Sequence, residues 1–322
     1  MRYILAAATL TGLLLCSTNT VQAFPDRPVR MIVPFAPGGI TDISARLLGQ
    51  YLSTKWRQQV VIENKPGASG LIGIDTLMQS AADGYTILLA TNGEIAINPA
   101  VNPKLRYDSQ KDLVPIAMVT STPFVWSANL NSGIGSLQEL VTAAKAKPGG
   151  LGYSSAGIAS SGHMATEQFA AATGIKLLHV PYRGGGPAAA AIVSGDVPIS
   201  AVSLSAVLSV IDSGRVKALA ITALRRSSLI PNVATVGETG VLSEFQSTIW
   251  TGLFAPAGTP EAIVAKIEAD TIEVLKDPAL LSRLQQIGAD AVAMPSTQLK
   301  QHIPKEIDEL RTIAIRAAIR LE

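Results

Sequence analysis

Val29-Arg30-Met31-Ile32-Val33-Pro34-Phe35-Ala36-Pro37-Gly38-Gly39-Ile40-Thr41-Asp42 carries three instructions in fourteen residues. Val29–Pro34 is a short apolar run bounded by a turn signal, which reads as a strand. Pro37-Gly38-Gly39 breaks it. Thr41 or Asp42 then caps a helix that places Leu47, Leu48, Tyr51 and Leu52 on one face. The pattern repeats downstream. Val60–Ile62 is the next strand, Pro66-Gly67-Ala68-Ser69-Gly70 a turn, Leu71 to about Ala81 a helix, and Thr86–Ala90 a third strand ending at Thr91-Asn92-Gly93. Strands alternating with helices in this way predict a mainly parallel sheet covered by helices.

A second series follows. Val114–Val125 is a long β-like stretch, and Ser136-Leu137-Gln138-Glu139 is a capping-box pattern opening a helix that ends near Pro148-Gly149-Gly150. Strands are expected at Gly152–Ser155, Leu177–Pro181, Ile199–Val202 and Ala218–Thr222, with helices between them. Trp250–Ala255 is a late strand, and Thr259-Pro260 reads as a cap with an N1 proline for a helix through Leu275. Helices near Ala279–Ile287 and Ser296–Arg320 finish the chain. Two α/β units fit this count. The stretches near 114–128 and 248–256 are the crossing points between them, so the first domain is discontinuous: 24–123 plus 248–322, with 124–247 as the second.

Composition bounds the function. The 322 residues are 48% hydrophobic and 16% charged, enough for two cores and too apolar for disorder. The net charge of +2 gives no basic nucleic-acid surface. With one cysteine and three histidines there is neither a disulfide framework nor a cysteine-rich or multi-histidine metal centre. No metal and no cofactor are expected. At the N-terminus, Arg2, the apolar run Ile4–Cys16 and Val21-Gln22-Ala23 have the layout of a secretory signal peptide, cleaved after Ala23. Leu15 before Cys16 argues against a lipidated cysteine. No later stretch is long and apolar enough to span a bilayer, so an exported, soluble protein is expected.

The chemistry is expected where strands end in Gly/Ser/Thr-rich loops that open helices: Phe35–Asp42, Thr91-Asn92-Gly93, Ser154–Gly162 and Arg183-Gly184-Gly185-Gly186. Such loops at the carboxyl ends of parallel strands line one crevice. Helix N-termini supply unpaired N–H groups and a partial positive charge, which suits a small anion, most simply a carboxylate. Thr41, Thr91, Ser155 and Ser160 add hydroxyls. Asp42 reads as a cap first and as an acceptor for a ligand amine or water second. His163 reads as packing or capping rather than as a base, His179 as core, Arg183 as a carboxylate clamp or a solvated loop residue, and Trp126 and Trp250 as core or hinge packing. The sequence has no G-x-S-x-G elbow, no phosphate-loop motif and no H-E-x-x-H. Ser160 and His163, three apart on one helix turn, make a poor catalytic pair with Asp42.

Val33–Asp42, Val61-Ile62-Glu63-Asn64-Lys65-Pro66-Gly67-Ala68, Ala82-Asp83-Gly84-Tyr85-Thr86, His179-Val180-Pro181-Tyr182-Arg183-Gly184-Gly185 and Leu253–Pro260 together resemble the Bug family, the extracytoplasmic solute receptors of tripartite tricarboxylate transporters. The resemblance covers nearly the whole chain after residue 23. It implies a two-domain periplasmic binding protein of the Venus-flytrap type, type II, each domain a mainly parallel sheet flanked by helices with two crossing strands as hinge. Its function would be capture of a di-, tri- or aromatic carboxylate by a monomer and delivery to membrane transporter subunits, without catalysis. Carried over by motif, the ligand-binding set is Pro37, Gly38, Gly39, Thr41, Asp42, Thr91, Asn92, Asn98, Ser155, Ala156, Gly157 and Ser160, with His163, Arg183 and Ser203 beside them. Many relatives carry an acidic residue and an amide where this chain has Val202-Ser203, which makes that wall more apolar and disfavours an amino-acid ligand. The other readings are an exported sensor feeding a membrane signalling protein, which uses the same binding event, and a secreted hydrolase or isomerase on the same fold.

Overall fold

The computed structural model describes residues 24–319. The expected signal peptide, Cys16 and the expected cleavage after Ala23 lie outside the described residues, as does Arg320.

The first half runs β1 (Val29–Val33), α1 (Ile40–Trp56), β2 (Val60–Asn64), α2 (Leu71–Met78), β3 (Thr86–Thr91), α3 (Asn98–Val101) and β4 (Leu113–Asn129). A 3-10 turn at Ala68–Gly70 precedes α2, and a π-helical turn at Gly93–Ile97 leads into α3. Next come α4 (Leu137–Ala146), β5 (Gly152–Ser155), α5 (Ser161–Thr173), β6 (Leu178–Pro181), α6 (Gly185–Ser194), β7 (Ile199–Ser203), α7 (Leu204–Asp212) and β8 (Val216–Ile221). The chain ends with β9 (Thr248–Pro256), α8 (Glu261–Val274), α9 (Pro278–Gln286), β10 (Asp290–Pro295) and α10 (Ser296–Arg316).

The strands form one path, β2-β1-β3-β9-β4-β7-β5-β6, with β8 and β10 also paired to β4. Both ends of the path are parallel: β1 with β2 and β3, and β5 with β6 and β7. The middle is antiparallel. β4 pairs with β9 from Leu113 to Pro123, then with β7 and β8 from Phe124 to Asn129. This single 17-residue strand therefore passes from one lobe into the other, and β9 lies beside its first two thirds. The two expected crossing strands are thus β4 and β9.

Alternation along the strands builds a core on each side of each lobe. In the first lobe Met31, Ile87, Leu89, Leu253 and Ala255 face α1, α8 and α9, while Ile32, Leu88, Ala90, Trp250 and Phe254 face α2 and α10. In the second lobe Trp126, Ala128, Ile199 and Ala201 pack with Tyr153 and Phe169, while Val125, Val202, Ile192 and Val207 pack on the other side. A smaller cluster joins the lobes, with Ile97 and Val101 against Ala159, Met164 and Ala314. Among the described residues no helix is long and apolar enough to cross a membrane.

Three local readings are corrected. Helix α1 begins at Ile40 with Gly39 at the cap position, so Thr41 and Asp42 sit inside its first turn and cap nothing. Thr259 is not a cap: its hydroxyl donates to the Pro256 carbonyl at 2.8 Å, and Pro260 stands at the cap position of α8. Strand β10 is unforeseen; it pairs antiparallel with β4 through a register shift between Ala291 and Met294. Ser136 caps α4 as read, its hydroxyl accepting the Glu139 N–H at 3.2 Å, while the Glu139 carboxylate reaches back to the Gly135 N–H at 2.6 Å rather than to that of Ser136.

Candidate functional site

A cleft of about 770 Å3 separates the two lobes. All four glycine- and hydroxyl-rich loops reach it. Gly38, Gly39 and Thr41 come from the first, Thr91 and Gly93 from the second, Ala156 and Ser160 from the third, and Gly184, Gly185 and Gly186 from the fourth. A fifth contributor, Ser203 with Ser205, lies at the β7–α7 junction. The starts of four α-helices of nine residues or more therefore meet in one space: α1, α5, α6 and α7.

The amides at these starts have no partner within their own helix. At α5 the Ser160 hydroxyl accepts the His163 N–H at 3.3 Å, leaving the Ser161 and Gly162 amides beside the cleft. No side chain caps α1, α6 or α7. No lysine, arginine or histidine is among the lining residues. Positive potential in this cleft thus comes from peptide dipoles and hydroxyls, not from a formal charge. Between the polar ends the wall is apolar, with Phe35, Phe124, Ile158, Val202, Ile249 and Ile287.

Each loop is held from behind. Gly38 has φ +88, a conformation that favours glycine, and its N–H donates to Asp42 Oδ2 at 2.9 Å. Asp42 is buried and also accepts from Arg46 (3.0 Å) and from Asn64 (2.9 Å). Burial pushes the Asp42 carboxyl up, but the hydrogen bonds from Arg46, Gly38 and Asn64 outweigh it and hold the carboxyl below its usual range. Asn92 joins the lobes: its Nδ2 donates to the Thr248 carbonyl at 3.1 Å, and its Oδ1 accepts from Ser161 of α5 at 3.0 Å. Asn98 donates to the Ser69 carbonyl at 3.0 Å, fixing the turn that brings Ser69 to the cleft.

Beneath the third loop, Ser155 is hydrogen-bonded to His179 Nε2 at 2.6 Å, and the Ala159 N–H donates to His163 Nδ1 at 3.0 Å. The two imidazoles stack, and the Tyr153 ring lies beside the pair, 5.0 Å from His179 and 6.4 Å from His163. Burial, with the neighbouring His179, lowers His163 to about 3, and burial lowers His179 to about 4. Both are neutral supports of the loop.

Of the residues singled out in the sequence, Gly38, Gly39, Thr41, Thr91, Asn98, Ala156, Ser160 and Ser203 line the cleft. Pro37, Asp42, Asn92, Ser155, Gly157 and His163 stand behind or beside that lining, and Arg183 is exposed next to Gly184. Glu94 was missed by sequence reasoning, although it directly follows Thr91-Asn92-Gly93. Ser205 and Gln286 also line the cleft. Ser205 had a signal, a second hydroxyl at a helix start. Gln286, from the end of α9, had none.

Among the described residues no cluster of three or more histidine, cysteine or acidic side chains is placed to hold a metal.

The family model described as the tripartite tricarboxylate transporter family receptor, TctC, matches residues 44–318. The chain belongs to the TctC family. BugT of Bordetella pertussis (strain Tohama I) is 36% identical to this TctC receptor over 289 residues, 89% of this chain and 88% of BugT. Among solved structures, the Rpa4515 protein of R. palustris with adipate superposes with a TM-score of 0.82 at 30% identity, covering 92% of this chain and 99% of that one. MatC of Rhodopseudomonas palustris with bound malate gives 0.77 at 32%, covering 90% and 99%. The TctC fold of this chain is the two-domain architecture of periplasmic binding proteins.

Proposed function

We propose that this receptor captures a small organic carboxylate between its lobes and hands it to a tripartite tricarboxylate-type membrane transporter. The observation that carries the reading is the convergence of four α-helix N-termini on a cleft with no cationic side chain. Neutral amides and hydroxyls suit a carboxylate, whose two oxygens accept several short hydrogen bonds at once. The apolar wall around Val202 suits a ligand whose charge lies at its ends or on a ring, a di-, tri- or aromatic acid. That wall carries no carboxylate for an ammonium, and amino acids are disfavoured there. The adipate of Rpa4515 and the malate of MatC fit the same description.

In this reading the protein works in the periplasm as a monomer, after export by the N-terminal 23 residues. It binds without turnover and without a cofactor or metal. Its domains are 24–123 plus 248–322, and 124–247. The ligand contacts both, because only a ligand that does so favours closure about β4 and β9.

A thermal-shift screen against C3–C8 organic acids tests the proposal, since a ligand bound to the native state raises Tm by mass action. A carboxylate that raises Tm, and that is recovered unchanged and stoichiometrically after hours of incubation, supports it. Conversion of the acid would identify an enzyme instead. No shift with any acid would overturn carboxylate recognition.

A further inference from the structure

Glu94 is the one ionisable side chain among the residues lining the cleft. It sits in the π-helical turn after β3, only 2% exposed. Its Oε2 accepts two hydrogen bonds from Thr91, from the N–H at 2.9 Å and from the hydroxyl at 2.8 Å. The Thr91 hydroxyl in turn accepts the Gly93 N–H at 3.0 Å, so its own proton is committed to Glu94. Among the described residues Oε1 takes no hydrogen bond from another residue. Gly70 leaves room for it: a Cβ there would lie 2.5 Å from Oε1. Thr91 and the residue's own N–H thus hold the carboxyl in a turn that lines the cleft, and among the described residues no other residue's donor takes Oε1.

An ionised Glu94 would oppose a carboxylate ligand in a space with no cation to neutralise either. Two carboxylates in one desolvated site do not both stay charged; the pair retains a proton. We propose that Glu94 enters the ligand complex as its neutral acid, with the proton on Oε1 donated to a ligand carboxylate oxygen, so that capture of the anion takes up one proton from solvent. The step is non-covalent and balanced: ionised Glu94, a proton and the ligand anion give a complex that carries the ligand's charge. The inference rests on the carboxylate-receptor reading above.

Burial already pushes the Glu94 carboxyl up to about 7, the Thr91 donors pulling the other way. The other titratable groups around this turn are few. The Tyr107 hydroxyl donates to the Glu94 carbonyl, and Asp75 on α2 bears on Tyr107. On α10, His302, Glu306 and Glu309 line a separate groove beside Trp250. His302 pairs there with Glu306 at 3.1 Å, and this hydrogen bond raises it.

Calorimetric titration with adipate, malate and benzoate, in buffers of different ionisation enthalpy, tests the proposal. For any of the three that binds, uptake of about half a proton at pH 7 and close to one at pH 8 is expected, with affinity falling about thirtyfold from pH 6 to 8.5. In Glu94→Gln the amide can still donate to the ligand while its oxygen accepts from Thr91, but it cannot titrate, so both the uptake and the slope vanish. Wild-type binding with no uptake and a flat pH profile overturns the proposal while leaving the receptor reading intact. A slope that survives in Glu94→Gln also overturns it, since the titrating group then lies elsewhere. Failure of every acid of the C3–C8 panel to bind, or to raise Tm, across the pH range would overturn both readings.

Discussion

The rings of His163 on α5 and His179 on β6 stack with centroids 3.7 Å apart and planes 16° from parallel. Two imidazoles so close cannot both be charged, and burial keeps both neutral well below the ordinary histidine range. In the unfolded chain they protonate near pH 6.5. Between that pH and about 4 the unfolded state therefore binds protons that the native state does not. The pair's contribution is complete above pH 6.5 and is lost as pH falls. Replacing His179 with Gln should cost about 1 kcal/mol at pH 7, the worth of a weakened hydrogen bond to Ser155 and a lost stack. From pH 7 to 4.5 the wild type should then lose on the order of 2 kcal/mol more than the variant. Urea melts at the two pH values give the difference, and parallel pH dependences would refute the account.

Gly39 offers a direct test of backbone approach. Its φ is −77, so any residue fits the backbone, and a Cβ there meets only the Ala36 carbonyl oxygen at 3.9 Å. Gly39→Val should leave Tm within a few degrees of wild type while reducing carboxylate affinity at least tenfold, by covering the amides at the start of α1. Circular-dichroism melts with calorimetry separate the two effects. Wild-type affinity would mean the ligand does not approach this loop.

Asp42 acts on the same loop through Gly38. Its replacement by Ala removes the acceptor for three donors and leaves the Asn64 amide short of a partner. Each such loss costs about 1 kcal/mol, so a drop in Tm of several degrees and a tenfold weaker Kd are expected together. Unchanged affinity would detach Asp42 from the site.

At the junction of the lobes, Ser161→Ala removes the hydroxyl that reaches Asn92 across the gap. Deuterium uptake in the first turn of α5 and at the start of β9 should rise, and carboxylate binding should reverse part of the rise. Uptake equal to wild type at these amides would show that the contact does not restrain the lobes.

Much of this was legible in the sequence because strand, small-residue loop and helix start leave a local signature. Val33–Asp42 announces its turn through Pro37-Gly38-Gly39, and the cleft is where such turns gather. Strand β10 left no comparable mark. It is an edge strand on β4, kinked at Ala293 with φ 51, and its short Ala-Val-Ala-Met run reads equally as a linker between helices. Glu94 escaped for a different reason. An acidic residue after a turn normally faces water, and only the packing of Gly70 and Tyr107 around it shows that this one is enclosed. Asp42 reads in the sequence as a helix cap, but it sits inside the first turn of α1 and holds Gly38, because its partners Arg46 and Asn64 arrive from α1 and β2 through tertiary structure.

The three tryptophans differ in where they sit. Trp56 and Trp126 are each enclosed within one lobe's core. Trp250 is enclosed too, in the first lobe's second core, but it lies on crossing strand β9, with its indole N–H donating to Glu306 of α10 at 2.7 Å. Any shift of β9 against α10 changes the polarity around that indole alone. If closure about β4 and β9 bends β9 against α10, emission from Trp250 shifts as the cleft fills, and a carboxylate titration followed in the ultraviolet reads that shift without an attached dye.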